Sequence, residues 1–425
     1  MLLRFRVANV RSLRDEQELS FTVPPGHETG PAHHVETAGG KSVEVYPLVG
    51  IFGANASGKS NVLIALSHMR DAVLNSYAEW TSYRGIPREE FALDEKSADE
   101  SSFYEVDFVA DDGVRWTYGY ELDSRRVAAE WLHAYPRGRR QVWLDRDAER
   151  DEEFDFPGDR IQDRARLART TRPNALFLSR AATDNHPQLT PIYQWFERNL
   201  WLITPEHERR ERETYTIRRL QEDVWVRRRI EELLRVADLG IGGTEVSEHP
   251  GDASTVRLVH TAGDGTRAAL DWDRESFGTR SWFALLGPML LALDEGAVLL
   301  VDELDSSLHP RFAAEVVRIF HNPLVNPLGA QLVFTSHDPS LLSTPSGWRL
   351  LDTGQVWLTE KDKAGATELY PLTAAEPGEA EDLTSSYLAG RFGAVPDVTE
   401  GQIARRILAA RAKEKMDKEG EAEQA

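Results

Sequence analysis

Along the chain, Leu3, Phe5 and Val7 alternate with polar residues, and Leu19 and Phe21 repeat the alternation after a charged turn, which predicts two paired strands. Residues 24–42 are rich in Pro, Gly, His and Thr and carry no period, so they read as a surface loop. The apolar, β-branched run Tyr46–Ile51 is then followed by Val62, Leu66, Met69 and Val73 at helical spacing, predicting strand, loop and helix. Phe103–Val109 and Val114–Leu122 alternate about Asp112-Gly113, a hairpin signal, and Val127–Tyr135 and Gln141–Leu144 continue the antiparallel character. From about residue 159 the period becomes helical, through Leu167, Ala175, Leu176, Leu178, Tyr193, Trp195, Phe196, Leu200 and Trp201. Val256–His260 and Arg267–Leu270 flank another Asp-Gly turn and predict a second hairpin. Two continuous apolar runs follow, Ala297–Val301 and Gln331–Phe334, with an amphipathic helix from Pro310 (Ala313, Val316, Val317, Phe320) between them. Runs of that kind are strands buried on both faces, so this stretch reads as a parallel strand–helix–strand unit. From Ala374 the chain is acidic, then Ile403, Ile407 and Leu408 mark a short basic-faced helix before an end expected to fray.

Composition narrows the picture. The 425 residues, 41% hydrophobic, suggest two or three domains with a sizeable core. A net charge of −20 argues against a general nucleic-acid-coating role, while leaving room for a local basic surface. With no cysteine there is no disulfide, thiolate metal site or cysteine nucleophile, which fits a cytoplasmic setting. Arg4, Arg6 and Arg11 occupy the place of a signal-peptide core, and the longest uncharged apolar run, Trp282–Leu293, is too short to span a bilayer, so no membrane role is expected.

Chemistry concentrates in four stretches. Between the strand and helix lies Gly53-Ala-Asn-Ala-Ser-Gly-Lys-Ser60, matching G-x-x-x-x-G-K-[ST]; its backbone amides and the helix N-terminus suit phosphate, Lys59 suits the β/γ oxygens and Ser60 suits magnesium. Gly53, Asn55, Ser57, Gly58 and Asn61 complete the candidate ATP contacts around this loop. The strand Ala297–Val301 ends in Asp302-Glu303, where Asp302 would hold Mg2+ and Glu303 would orient or deprotonate water. The strand Gln331–Ser336 ends in His337-Asp338, making His337 a candidate sensor of the γ-phosphate. Finally, Glu275-Ser-Phe-Gly-Thr-Arg-Ser281 precedes an apolar helix; Ser276 and Gly278 there form a second anion-binding nest, whose simplest use is on another subunit's nucleotide.

These residues resemble the ABC-type ATPases, specifically the bacterial AAA/ABC-like branch linked to phage defence and abortive infection, such as RloA-like proteins and the ATPases of two-gene defence modules, related to OLD-family and chromosome-maintenance ATPase heads. On that resemblance Gly53–Ser60 is the Walker A, Leu299–Glu303 the Walker B, Asp305 the D-loop, Glu275–Arg280 the signature motif with Ser276 and Gly278 within it, and His337 the switch histidine. Asn9-Val-Arg-Ser12 is similar to the N-terminal motif of chromosome-maintenance and recombination-repair heads, which implies that Arg11 lies near the phosphates. Arg391–Pro396 resembles a C-terminal motif of the defence branch. Departures are the absence of a long heptad insertion, an unassigned Q-loop glutamine, and the lack of a recognisable nuclease motif, so any cutting activity is expected in a separate effector or nuclease protein.

The implied fold is α/β, a P-loop NTPase of ABC-ATPase head type with an antiparallel β lobe and an inserted helical lobe. The head would comprise 1–80 and 240–372, the inserted hairpin and helical lobe 86–238, and the tail 373–425. The expected activity is Mg2+-dependent ATP hydrolysis by a homodimer, or a ring of dimers, that controls a partner effector. Alternatives are a DNA-repair head of RecF or RecN kind and an ATP-stabilised scaffold or inhibitor with little turnover. Arg209, Arg210, Arg212, Arg218, Arg219, Arg227, Arg228 and Arg229, interleaved with Tyr215 and Trp225, read either as a solvated helical face or as a contact for a partner protein or nucleic acid.

Overall fold

The computed structural model describes residues 1–425 except 25, 27–29, 81–84, 205–208, 238–239, 248–253, 307, 344–348, 379–380, 397–398, 400 and 425; the side chains of 209, 210 and 414–424 are also outside the description. In chain order, strands β1 (Leu2–Ala8), β2 (Gln17–Ser20), β3 (His33–Glu36), β4 (Ser42–Val45) and β5 (Leu48–Gly53) precede helix α1 (Lys59–Glu79). Next come β6 (Ser102–Val109), β7 (Arg115–Leu122), β8 (Val127–Ala134), β9 (Gln141–Asp147), β10 (Phe154–Asp155), α2 (Arg164–Thr170), α3 (Phe177–Thr183) and α4 (Thr190–Arg198). The chain continues through β11 (Trp201–Ile203), α5 (Arg209–Glu222), α6 (Val224–Ala237), β12 (Ile241–Ser247), β13 (Thr255–Thr261), β14 (Arg267–Asp271) and α7 (Phe277–Glu295). It ends with β15 (Val298–Val301), α8 (Pro310–His321), β16 (Gln331–Ser336), β17 (Val356–Lys361), β18 (Thr367–Pro371), α9 (Leu383–Leu388) and α10 (Gln402–Gln424).

The apolar runs β5, β15 and β16 are buried along their whole length and form the middle of a six-stranded sheet, ordered β11-β15-β16-β5-β17-β18. All neighbours in it are parallel except β17 and β18. A second, fully antiparallel sheet has the order β10-β9-β8-β7-β6-β1-β2. The two sheets share one hydrophobic core with α1, α3 and α4, built on Phe5, Ile51, Leu66, Met69, Tyr118, Trp195 and Phe196. Gln331 fastens sheet to sheet: its side-chain amide accepts from Leu2 N at 2.6 Å and donates to Leu2 O at 2.9 Å, wholly buried. A three-stranded sheet, β12-β13-β14, packs with α5 and α6, which pack in turn on α7.

Five features differ from expectation. Segment 86–238 is not set apart, because β1 pairs with β2 on one edge and leaves the other free, and β6 takes that edge and carries β7–β10 into the same sheet. Trp201, read as helical, lies in β11, which pairs in parallel with β15; Leu200 at φ 64 ends the helical course just before it. Residues 24–42, read as loop, contain β3 and part of β4, a short hairpin turning through Gly40 at φ 72, where Val35 faces Val43. The compact unit runs from Met1 to Ala394, past the expected tail boundary, because Tyr370 and Tyr387 hydroxyls donate to Phe392 O and Ala394 O and both acceptor residues are buried. The separate unit Val395–Ala425 holds α10, a 23-residue helix rather than a short one. No helix among the described residues is long and apolar enough to cross a membrane.

The antiparallel sheet carries one buried ion pair. Arg146 and Glu130 side chains are both 0% exposed and 3.5 Å apart. Glu130 accepts from Phe177 N, Leu178 N and the Tyr118 hydroxyl, and Arg146 donates to Ala175 O and Glu153, so the pair moors the start of α3 to the sheet. Burial nevertheless pushes the Glu130 carboxyl above its usual range. Arg146→Met should therefore cost about 3–5 kcal/mol, since it leaves a buried carboxylate unpaired. The further change Glu130→Gln should recover part of that loss. Urea denaturation midpoints of the two variants check both statements.

Candidate active site

The phosphate-loop motif occupies the turn between β5 and α1, as its flanking patterns require. Gly58 has φ 109, a conformation open to glycine, and a Cβ there would strike the Thr367 hydroxyl. Ala56 at φ 61 shows that the loop is also bent tightly at its tip. Lys59 is 7% exposed and its Nζ donates to Gly53 O at 2.8 Å and Ala54 O at 3.0 Å, across the mouth of the loop. Burial lowers the Lys59 pKa even though Glu303, Asp302 and Asp305 oppose that shift. Asn55 is exposed on the loop, whereas Ser57 is buried and its hydroxyl bonds that of Thr359 at 2.6 Å.

The acid strand meets this loop. Ser60 Oγ donates to Asp302 Oδ1 at 2.9 Å, across 242 residues of sequence. The same carboxylate oxygen accepts from Thr335 Oγ1 at 2.6 Å, and that hydroxyl in turn accepts from Glu303 N at 2.7 Å. Glu303 holds φ 50, a strained backbone for a side-chain-bearing residue, of the sort that concentrates at functional positions. A cavity of about 30 Å3, room for roughly one water, lies against Asp302 and Glu303 and is closed by Thr204, Arg212 and Ser281.

The remaining candidates fall into distinct places. Arg11, at φ 51, donates to Asn61 Oδ1 at 3.2 Å and to Glu89 at 2.5 Å, while Asn61 donates to Ser12 Oγ at 2.6 Å; both thus stand beside the start of α1. His337 Nε2 lies 3.2 Å from Asp305 Oδ2, and the other oxygen of this mostly buried carboxylate has no hydrogen-bond partner among the described residues. Asp305 therefore faces the histidine of its own chain. Ser276 is the N-cap of α7 and accepts from Thr279 N at 3.0 Å; Ser276, Phe277 and Gly278 are all exposed. Behind them Glu275, with its side chain 4% exposed, meets His260 at 2.9 Å.

In the arginine-rich helices, Arg212 donates to Thr204 O, Arg227 to Glu231, and Arg229 binds Asp294 through two 2.7 Å bonds. Arg218 and Arg228 instead stack on Tyr215 and Trp225. Two of the three consecutive arginines are thus engaged within the chain, which favours the solvated-face reading for them. The side chains of Arg209 and Arg210 lie outside the described residues.

Sequence reasoning missed the hydroxyls that brace the site: Ser12, Thr335, Thr359 and Thr367. Thr367 Oγ1 donates to Ser57 O at 2.8 Å and pairs with Ser12 Oγ at 2.7 Å, tying β18 and the N-terminal turn to the loop. The signal was present for Thr335, the second-last residue of an otherwise apolar strand running to His337. For magnesium, the hydroxyl of Ser60 and the carboxylate of Asp302 are hard oxygen donors already in contact, a donor set that suits an ion completing its shell with phosphates and water. Thr335→Val would strand the Glu303 amide and should cost about 1–3 kcal/mol, with Thr335→Ser close to the parent; thermal melts of the two variants check this.

Comparison with known proteins gives three results. None of the curated proteins matches. Among solved structures, the SMC head domain from Thermotoga maritima aligns with 14% identity, covering 87% of this chain and 98% of that one, at a TM-score of 0.39. The Smc head domain with an extended coiled coil from Pyrococcus furiosus, bound to the C-terminal domain of ScpA, aligns at 14%, 88%, 97% and 0.41, and the recombination mediator RecF at 12%, 87%, 98% and 0.35. The fold itself is mixed α/β, with the phosphate-loop motif in the turn between β5 and α1. A family profile described as "AAA domain, putative AbiEii toxin, Type IV TA system" matches residues 48–343, more than half of the chain, and the protein belongs to that family.

Proposed function

We propose that this chain is an ATP phosphohydrolase whose nucleotide-dependent pairing with a second copy controls a separate effector, in phage defence. The observation that carries the reading is the bond between Ser60 and Asp302, with Lys59 and Glu303 at its two sides. Lys59 binds the β/γ oxygens of ATP, leaving the Gly53 and Ala54 carbonyls for them. Ser60 and Asp302 hold magnesium, which when bound neutralises phosphate charge. Glu303, fixed by its amide on Thr335, orients the attacking water and takes its proton. His337, half-exposed beside Asp305, contacts the γ-phosphate. Arg11 adds a positive charge near the phosphates, steered by Asn61.

The exposed Ser276-Phe277-Gly278 end of α7 supports a site shared between copies, since this helix N-terminus and its apolar Phe277, 51% exposed, offer a patch for a second head. The family's description as a putative toxin of a Type IV TA system supports a role exercised together with a second protein.

Two measurements test the reading. Glu303→Gln should bind ATP as the parent does while phosphate release falls by about 100-fold or more; equal turnover would remove Glu303 as the base. Mixing the inactive variants Lys59→Ala and Ser276→Arg should restore part of the turnover, because one composite site regains both halves. No recovery in a mixture shown to form heterodimers would overturn the shared site.

A further inference from the structure

Thr204, one residue past the end of β11, has no part in the chemistry proposed above, yet it stands level with the acid pair. β15 lies between β11 and β16, and the register sets Ile203 opposite Val301 and Val301 opposite Phe334. Thr204, Asp302 and Thr335 are therefore each one residue further along three adjacent strands. Asp302 N donates to Ile203 O at 2.7 Å, which fastens β11 to the first acid. On the far side the Thr335 hydroxyl donates to Asp302 and accepts from the Glu303 amide. On the near side the Thr204 hydroxyl oxygen is shut off from solvent and has no hydrogen-bond partner among the described residues. An isosteric valine would suit a strand end after Trp201, Leu202 and Ile203 and leave no polar atom unmet, so the hydroxyl calls for a partner.

The cavity of about 30 Å3 beside Thr204 has room for that partner. A trapped water needs roughly 10–15 Å3 of such space and two to four polar neighbours. Thr204, Arg212, Ser281, Asp302 and Glu303 bring polar groups to the wall, and aliphatic side chains such as Ile203, Leu285 and Val301 close the remainder. Asp302 Oδ1 is already engaged by the hydroxyls of Ser60 and Thr335. Glu303 differs: its amide is fixed on Thr335, but no hydrogen bond from a described residue reaches its carboxylate. Glu303 is also close enough to Lys59 for their charges to interact, so the way its carboxylate is turned bears on the phosphate loop.

We propose that one ordered water fills this cavity, accepting from the Thr204 hydroxyl and donating to the Glu303 carboxylate, and that Thr204 is through it a positioning residue for the base. The positioning half rests on the ATP site proposed above. This water turns the carboxylate and is not itself the attacking molecule. Arg212 holds the other end: it donates to Thr204 O at 2.6 Å and lines the same cavity, so the placement of Thr204 depends on α5. The two threonines divide the task, Thr335 fixing the backbone of Glu303 and Thr204 its side chain.

In the full chain, Thr204→Val should lower kcat for ATP hydrolysis about tenfold, the loss of roughly one hydrogen bond, with KM and equilibrium ATP binding within about twofold of the parent. Its melting temperature should match the parent's, and Thr204→Ser, which keeps the hydroxyl, should restore most of kcat. In a Glu303→Gln background, Thr204→Val should change the residual turnover by less than about twofold, because the two residues act as one unit. Unchanged kcat in Thr204→Val, a serine variant as slow as the valine one, or the full loss in the Glu303→Gln background would overturn the positioning role. A crystal structure of the parent, at a resolution that shows ordered water, decides the first half without ATP chemistry. Density within hydrogen-bond reach of Thr204 Oγ1 and the Glu303 carboxylate is expected, and an empty cavity overturns it. A parent without turnover would overturn the ATPase reading and the positioning role together, while the water stands or falls on that map.

Discussion

Strand order sets the terms for everything at the nucleotide end of this molecule. β5, which leads into the phosphate loop, and β15, which delivers the acids, are not neighbours; β16 lies between them. Adjacent strands stand about 4.8 Å apart, so the two motifs are held roughly 10 Å from each other at the level of the backbone. They can touch only by side chains that bend over the end of the middle strand. Thr335 occupies that end, and its single hydroxyl both donates to Asp302 and receives the amide of Glu303. An apolar residue there would keep the sheet and lose the junction.

The loop is braced from the opposite side by hydroxyls on β17 and β18. Thr359 backs Ser57, and Thr367 joins Ser57 O to Ser12, whose own neighbour Arg11 is turned into a left-handed conformation. Thr367 N also donates to Ser12 O at 2.7 Å. The first dozen residues and the last sheet strand, far apart in sequence, therefore share one small polar knot beneath the phosphate-loop motif. This ties the positioning of Arg11 to the integrity of a hairpin that carries no motif of its own.

Much of this was legible from periodicity. Continuous apolar runs at 297–301 and 331–334 announced buried parallel strands, and Pro310 opens α8 at the position where its missing amide is harmless. The meeting of Lys59, Ser60, Asp302 and Glu303 followed from motif order alone. What stayed hidden was pairing between distant edges. Nothing in the alternation of Phe103–Val109 says that its partner is β1 rather than a strand of a separate lobe, because alternation reports a buried face and is silent about the neighbour. Trp201 was misread because Trp195, Phe196 and Leu200 keep a helical interval right up to the turn at Leu200. The bracing threonines were obscured for a simpler reason: a β-branched residue in a strand looks like a propensity choice.

The amide of Gln331 has a mechanical consequence. It grips both the N–H and the carbonyl of Leu2 at the first residue of β16, while the last residues of that strand carry Thr335, Ser336 and the approach to His337. β16 thus behaves as a short stiff rod, clamped to the antiparallel sheet at one end and bearing the junction of the two motifs at the other. A load applied to the broad face of β6–β9 has a direct route into that rod, with no loop between to absorb it. The antiparallel sheet is in this sense the handle of the sheet that carries the phosphate loop and the acid pair.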